Sequence, residues 1–184
     1  LADAGIPPIY SQLADLPTGG VVEVPLAYQP FSVANARFQY NQVRHGQPLL
    51  NCNQLIRRTD LASFRDYVQA NAFLSLLLDL GRQEPPYSYT GADLAALKAD
   101  GFRYVVFHPR VEADAVQLAG DIGPADLIGL PALDMLRWTL GEPLLSDPDA
   151  WVFALPEDPP LERTWRLDGA AYEDVEHPLD AQSL

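Results

Sequence analysis

Residues 102–108, FRYVVFH, limit what this chain can fold into more than any other stretch. Val105, Val106 and Phe107 follow one another without a polar interruption, the mark of a central strand covered on both faces. A second strand is read over 21–26, VVEVPL, which is β-branched and bounded by turn residues. Pro25 cannot donate to a ladder, so it marks an exposed strand end or a sheet edge. Helical segments surround the two strands. A short helix over 8–16 places Ile9, Leu13 and Leu16 on one side. A long helix is expected over 61–80, capped by Asp60 and ended by Gly81, with Phe64, Val68, Leu74 and Leu77 on its apolar face. Thr90 caps a further helix that ends at Gly101, and another is expected over 111–118. Pro131, tolerated in a first turn, opens a helix to Leu140 that stops at Gly141. Segments 143–145 and 151–155 flank Ser146-Asp147-Pro148-Asp149, a turn made by Asp-Pro-Asp chemistry. A last edge strand is read over 164–167. Beyond it the chain is acidic and short of large apolar residues.

These elements sum to an α/β domain over residues 1–169, followed by an acidic, poorly ordered tail over 170–184. Its small mixed sheet has central strands near 21–26 and 103–108, helices packed on it, and a C-terminal hairpin near 143–155. Length and composition agree: 184 residues, 48% hydrophobic and 20% charged, suit one domain with a real core. The longest strongly apolar run, 72–80, falls far short of the roughly 20 residues that span a bilayer. No basic or apolar leader is visible, and the chain begins at Leu1 without an initiator Met, which leads us to expect an excised domain or a processed chain.

Charge excludes one class of partner. The net charge is −13, and residues 71–184 carry twenty acids against seven bases. Such a field repels phosphate backbones, and no basic stripe with interleaved aromatics appears, so nucleic acid is not the expected ligand. A single lysine, Lys98, stands among eleven arginines; coding bias and salt adaptation both produce that pattern. The one cysteine, Cys52, excludes an intrachain disulfide and a cysteine-based zinc site. No cofactor-binding glycine loop, metal-ligand spacing or nucleophile motif occurs, so the expectation is no cofactor, no metal and no catalytic set.

Polar chemistry concentrates in residues 37–58, RFQYNQVRHGQPLLNCNQLIRR. Amides this dense between apolar anchors need partners, which makes the stretch either a hydrogen-bonded structural cradle or a recognition surface. His45 precedes Gly46, where a sharp turn can leave the ring exposed as an anion ligand or general base. It can equally fix the bend by bonding to backbone. His108 closes the best strand, at the carboxyl end where ligand crevices of open α/β sheets form. Arg57 and Arg58 suit either a bidentate anion clamp or pairing with downstream carboxylates. Trp138, Trp151 and Trp165 read as packing residues.

With those residues on the page, the chain resembles the soluble extracytoplasmic domains that end many multi-pass membrane proteins of the GT-C glycosyltransferase type. The resemblance runs over about residues 7–156. It rests on the Pro- and Gly-ended helix before VVEVPL, on 40–49 (YNQVRHGQPL), on 97–108 (LKADGFRYVVFH) and on the closing EPLLSDPDAWVFALP. The segment NCNQLIRR departs from the family's usual glycines and aromatic before Ser-Arg or Thr-Arg. The catalytic acid of such enzymes lies among the first transmembrane helices, outside this chain. The resemblance therefore implies a non-catalytic domain on the outer face of the cell membrane, packed against its own transmembrane region. There it would assist binding of a polyprenyl-phosphate sugar, glycan or protein acceptor, with Tyr40, Gln42, His45, Arg57 and His108 as the candidate surface. Two other readings stand beside it: a free-standing α/β hydrolase or transferase using His45 or His108, and a protein-interaction or scaffold domain.

Overall fold

A four-stranded mixed sheet forms the middle of the computed structural model, which describes residues 5–24, 26, 33–50, 58–79, 87–108, 129–168 and 171–175. The first two sheet-forming stretches read from sequence lie side by side. Strand β1 (Gly20–Val24) pairs in parallel with β3 (Phe102–Phe107), matching Val22 to Val105, Glu23 to Val106 and Val24 to Phe107. Antiparallel neighbours β5 (Trp151–Ala154) and β4 (Leu145–Ser146) complete the order β1-β3-β5-β4. The outer edge of β1 is not bare. Val21 bridges to Leu49, its N–H donating to the Pro48 carbonyl at 2.8 Å while Leu50 N–H donates back at 2.9 Å. This covers polar groups that an edge strand otherwise exposes.

Alternation along the strands gives the sheet two apolar faces. Val22, Val24, Val105, Phe107 and Phe153 point into the larger core with helices α3 (Arg58–Ala70), α4 (Ala72–Asp79), α5 (Gly91–Ala99) and α6 (Gly129–Leu140). Val21, Tyr104, Val106 and Val152 point the other way, onto α1 (Ile9–Ala14), whose Ile9, Tyr10 and Leu13 are all buried. Helix α2 (Val33–His45) lies on that second face as well, with Phe38 stacked on His108 and His45 on Tyr10. The Asp147 turn joins hairpin to helix: its Oδ1 accepts from Asp149 and Ala150, and its Oδ2 accepts the Ile9 N–H.

Several expectations shift. The long helix over 61–80 is two helices, starting before Asp60 and broken at Asn71. The Asn71 Oδ1 accepts the Leu74 N–H at 3.0 Å and so caps α4, while its Nδ2 donates to the Asp93 carbonyl at 2.8 Å. Asp93 serves two helices. Its Oδ2 accepts from Thr90 N–H and hydroxyl at 2.7 and 2.9 Å, the expected start of α5, and its Oδ1 accepts the Ala72 N–H at 3.1 Å. Strand β6 (Thr164–Asp168), read as an edge, is the middle of a second sheet between β2 (Tyr87–Thr90) and β7 (Ala171–Val175). The tail expected from residue 170 is thus corrected for 171–175, which pair antiparallel with β6. A backbone ladder holds there what apolar content alone would not. Tyr89 and Trp165 of this sheet, stacked at 5.4 Å, belong to the same apolar cluster as the first sheet. The expected helix over 111–118, the stretch NCNQLIR with Cys52 and Arg57, and residues 176–184 lie outside the described residues. Among the described residues no helix is long and apolar enough to cross a membrane.

Candidate functional site

Parallel pairing brings together two residues that lie 85 positions apart. Within β1, Val21 and Glu23 share a face; along β3 and its continuation, Tyr104, Val106 and His108 share the same one. The ladder continues past the strand, with His108 N–H donating to the Val24 carbonyl at 3.0 Å. Glu23 therefore emerges beside His108 at the carboxyl end of the parallel pair, under α1 and α2.

Glu23 is 0% exposed. A carboxylate removed from water is strongly unfavourable unless its oxygens find donors, and here they do. The Tyr10 hydroxyl lies 3.1 and 3.2 Å from its two oxygens, and His108 Nε2 lies 2.6 Å from Oε2. An ionised carboxylate only accepts, so both groups donate to it and His108 Nε2 carries the proton. The Tyr10 hydroxyl is also 3.1 Å from Nε2, which closes a three-membered cluster. Burial, and next the Glu23 charge, push the Tyr10 phenol well above its ordinary range; Asn41 and Arg37 act in the opposite sense. Tyr10 is thus a proton-bearing donor and no nucleophile.

The His108 ring is held on a second side by Phe38, stacked at 4.8 Å, and its side chain is 11% exposed. With Nε2 committed to Glu23, Nδ1 is the nitrogen without a hydrogen-bond partner among the described residues. A histidine so fixed can accept a proton or a hydrogen bond at one defined atom. The other hydrogen-bonding groups it meets are Tyr10 and Glu23, so no serine, threonine or cysteine stands within reach of it among the described residues. Nor do three or more metal-binding side chains gather anywhere among them.

His45 lies on the other side of the Tyr10 ring, stacked at 5.5 Å. The structure does not leave it exposed in a loop: it is the buried last residue of α2. Its Nδ1 accepts the Gln47 N–H at 3.1 Å, the backbone-fixing role, and burial lowers its pKa to about 4. The ring is neutral, with its proton on Nε2. That atom and Asn41 Nδ2, both buried, have no hydrogen-bond partner among the described residues. Gly46, at φ 68°, turns the chain after the helix. Gln47 then ties the bend down: its Oε1 accepts the Gly19 N–H at 2.9 Å, and its Nε2 reaches the Leu13 and Leu16 carbonyls at 3.4 Å. Gln42 Nε2 donates to the Gln47 carbonyl at 3.0 Å.

Of the five residues singled out in sequence, the structure gathers His45 and His108 around Tyr10. Gln42 belongs to the bend, Tyr40 points outward, and Arg57 lies outside the described residues. Sequence reasoning missed Glu23, Tyr10, Phe38 and Asn41. One signal was available: a glutamate inside an all-apolar β-branched strand needs a buried partner, and the other buried strand ends in histidine. Comparison of the chain with protein-family models, curated proteins and solved structures finds no match.

Proposed function

We propose that this chain is the extracytoplasmic module of a multi-pass membrane protein of the GT-C glycosyltransferase kind, and that it binds substrate without performing the transfer. The observation that carries the binding role is the fixed His108 ring, held at Nε2 by Glu23 and Tyr10 and offering Nδ1 at the strand ends. A rigid acceptor at that edge suits a sugar hydroxyl. Two features favour recognition over reaction: the carboxylate is sealed from solvent, and the phenol keeps its proton. The membrane assignment rests on the sequence resemblance, two of whose segments are neighbours in the fold. VVEVPL and FRYVVFH are adjacent parallel strands, and HGQPL bridges to the free edge of the first.

The test is binding of a short-chain polyprenyl-phosphate sugar to the full-length protein. His108→Ala is expected to weaken it at least about tenfold, as loss of a hydrogen bond to a polar ligand does, while Ser146→Ala leaves it unchanged. Equal affinity of H108A and the parent protein sinks the reading.

A second reading, a free-standing hydrolase or transferase with His108 as general base, is favoured by the 2.6 Å carboxylate contact behind that ring. It requires turnover of an ester or glycoside by this chain alone, with a rate that vanishes in H108A. Absence of turnover across such substrates removes it.

A further inference from the structure

Helix α2 has two faces of opposite character. Phe38, Asn41 and His45 turn inward, whereas Arg37, Tyr40, Val43 and Arg44 are exposed. Tyr40 is 52% and Val43 82% exposed, an aromatic and a β-branched side chain one turn apart on the same surface. Neither is explained by the packing of α2 on the sheet. The sequence that contains them is equally unusual in charge for this protein. Residues 24–59 contain no aspartate or glutamate, although the chain carries 25, and they hold Arg37, Arg44, Arg57 and Arg58. Arg44 donates through Nε to Ser11 Oγ at 2.8 Å, which ties it to α1.

We infer that the outer face of α2 docks on an anionic lipid surface, with Tyr40 and Val43 entering the headgroup region and Arg44 engaging lipid phosphates. Charge complementarity selects this occupant. An aromatic–aliphatic pair flanked by arginine is the composition that lies in a membrane interface, and arginine matches phosphate bidentately. The net charge of −13 does not forbid it, because charges are screened over about 8 Å at physiological ionic strength. Of the described acids, Asp15 ends α1, Asp147 accepts the Ile9 N–H of that helix and Glu23 is buried beneath it, while Asp66, Asp93, Asp100 and Asp134 belong to the helices of the other face. The inference is independent of what His108 binds.

Vesicle flotation of the full chain tests it, using phosphatidylcholine with about 30% phosphatidylglycerol against phosphatidylcholine alone. Binding is expected only to the anionic vesicles and should fade as salt rises from about 0.05 to 0.5 M. Removing one surface arginine contact should weaken it about fivefold in R44Q and roughly thirtyfold in R44E. Val43→Asp should abolish detectable flotation. Leu161→Asp, at an exposed apolar site elsewhere, should float like the parent chain. Circular dichroism of each variant checks that the fold is retained. Equal binding to neutral vesicles, a silent V43D or an equal loss in L161D overturns the assignment. So does self-association that V43D removes without any vesicle binding, which would give the face to a second copy.

Discussion

Replacing Glu23 tests the cluster directly. Its carboxylate has no solvent to fall back on, and the Tyr10 hydroxyl at 3.1 and 3.2 Å and His108 Nε2 at 2.6 Å depend on it. Hydrogen bonds to a charged group contribute about 1.5–3 kcal/mol each, and breaking a buried pair leaves the surviving partners unsatisfied. Glu23→Ala should therefore lose about 3–5 kcal/mol, with a small cavity included. For a domain of this size that lowers the melting temperature by roughly 6–20 °C. Glu23→Gln keeps the volume and one accepting oxygen, so about 1–2 kcal/mol should be lost. Urea unfolding followed by circular dichroism gives both values. A double-mutant cycle with His108→Ala should return a coupling of about 1–3 kcal/mol. Replacing the whole cluster by apolar residues, as in Y10F/E23L/H108L, should recover much of the loss, since a buried ionic group is no net source of stability against a packed hydrocarbon. An E23A loss below about 1 kcal/mol, or additive E23A and H108A effects, refutes the account of a mutually dependent cluster.

Two further outcomes follow from other parts of the fold. His45 is neutral in the folded protein, with its pKa lowered from 6.5 to about 4 by burial, whereas the unfolded chain takes up the proton below 6.5. Stability attached to it is complete above pH 6.5 and falls on the order of 3 kcal/mol as the pH drops to 4. His45→Gln should flatten the upper part of that limb, and an NMR titration showing an ordinary histidine pKa at this ring would contradict it. At Gly91, an added Cβ would lie 2.0 Å from the Pro160 carbonyl oxygen, a backbone atom that cannot swing aside. Gly91→Ala should lose about 3 kcal/mol in urea unfolding, at the upper end of overpacking penalties; a neutral result would mean the 160–163 turn moves freely.

The secondary structure that sequence conveyed well was the kind governed by neighbours along the chain. FRYVVFH, the Thr90 start of α5, the Asp147 turn and the Pro131 helix each carry their own physical reason within a few residues. The misreadings came where a distant partner decided. The apolar face of 61–80 continues across Asn71, and only the Asp93 contacts from another helix reveal the break. Residues 171–175 stand in an acidic stretch and take strand form in the β6 ladder.

The candidate site shows the same division. That Glu23 lies within one buried strand and His108 closes the other is written in residue order, because a period of two assigns each to a face. That those faces are the same face, under α1 and α2, was decided only when β1 and β3 paired in parallel with Val24 opposite Phe107. One step of register either way would have turned one of the two into the opposite core. Composition and local pattern determined an acidic α/β protein with two buried strands. Tertiary structure alone supplied the carboxylate's partners, because hydrogen bonds across 85 residues leave no trace in local periodicity.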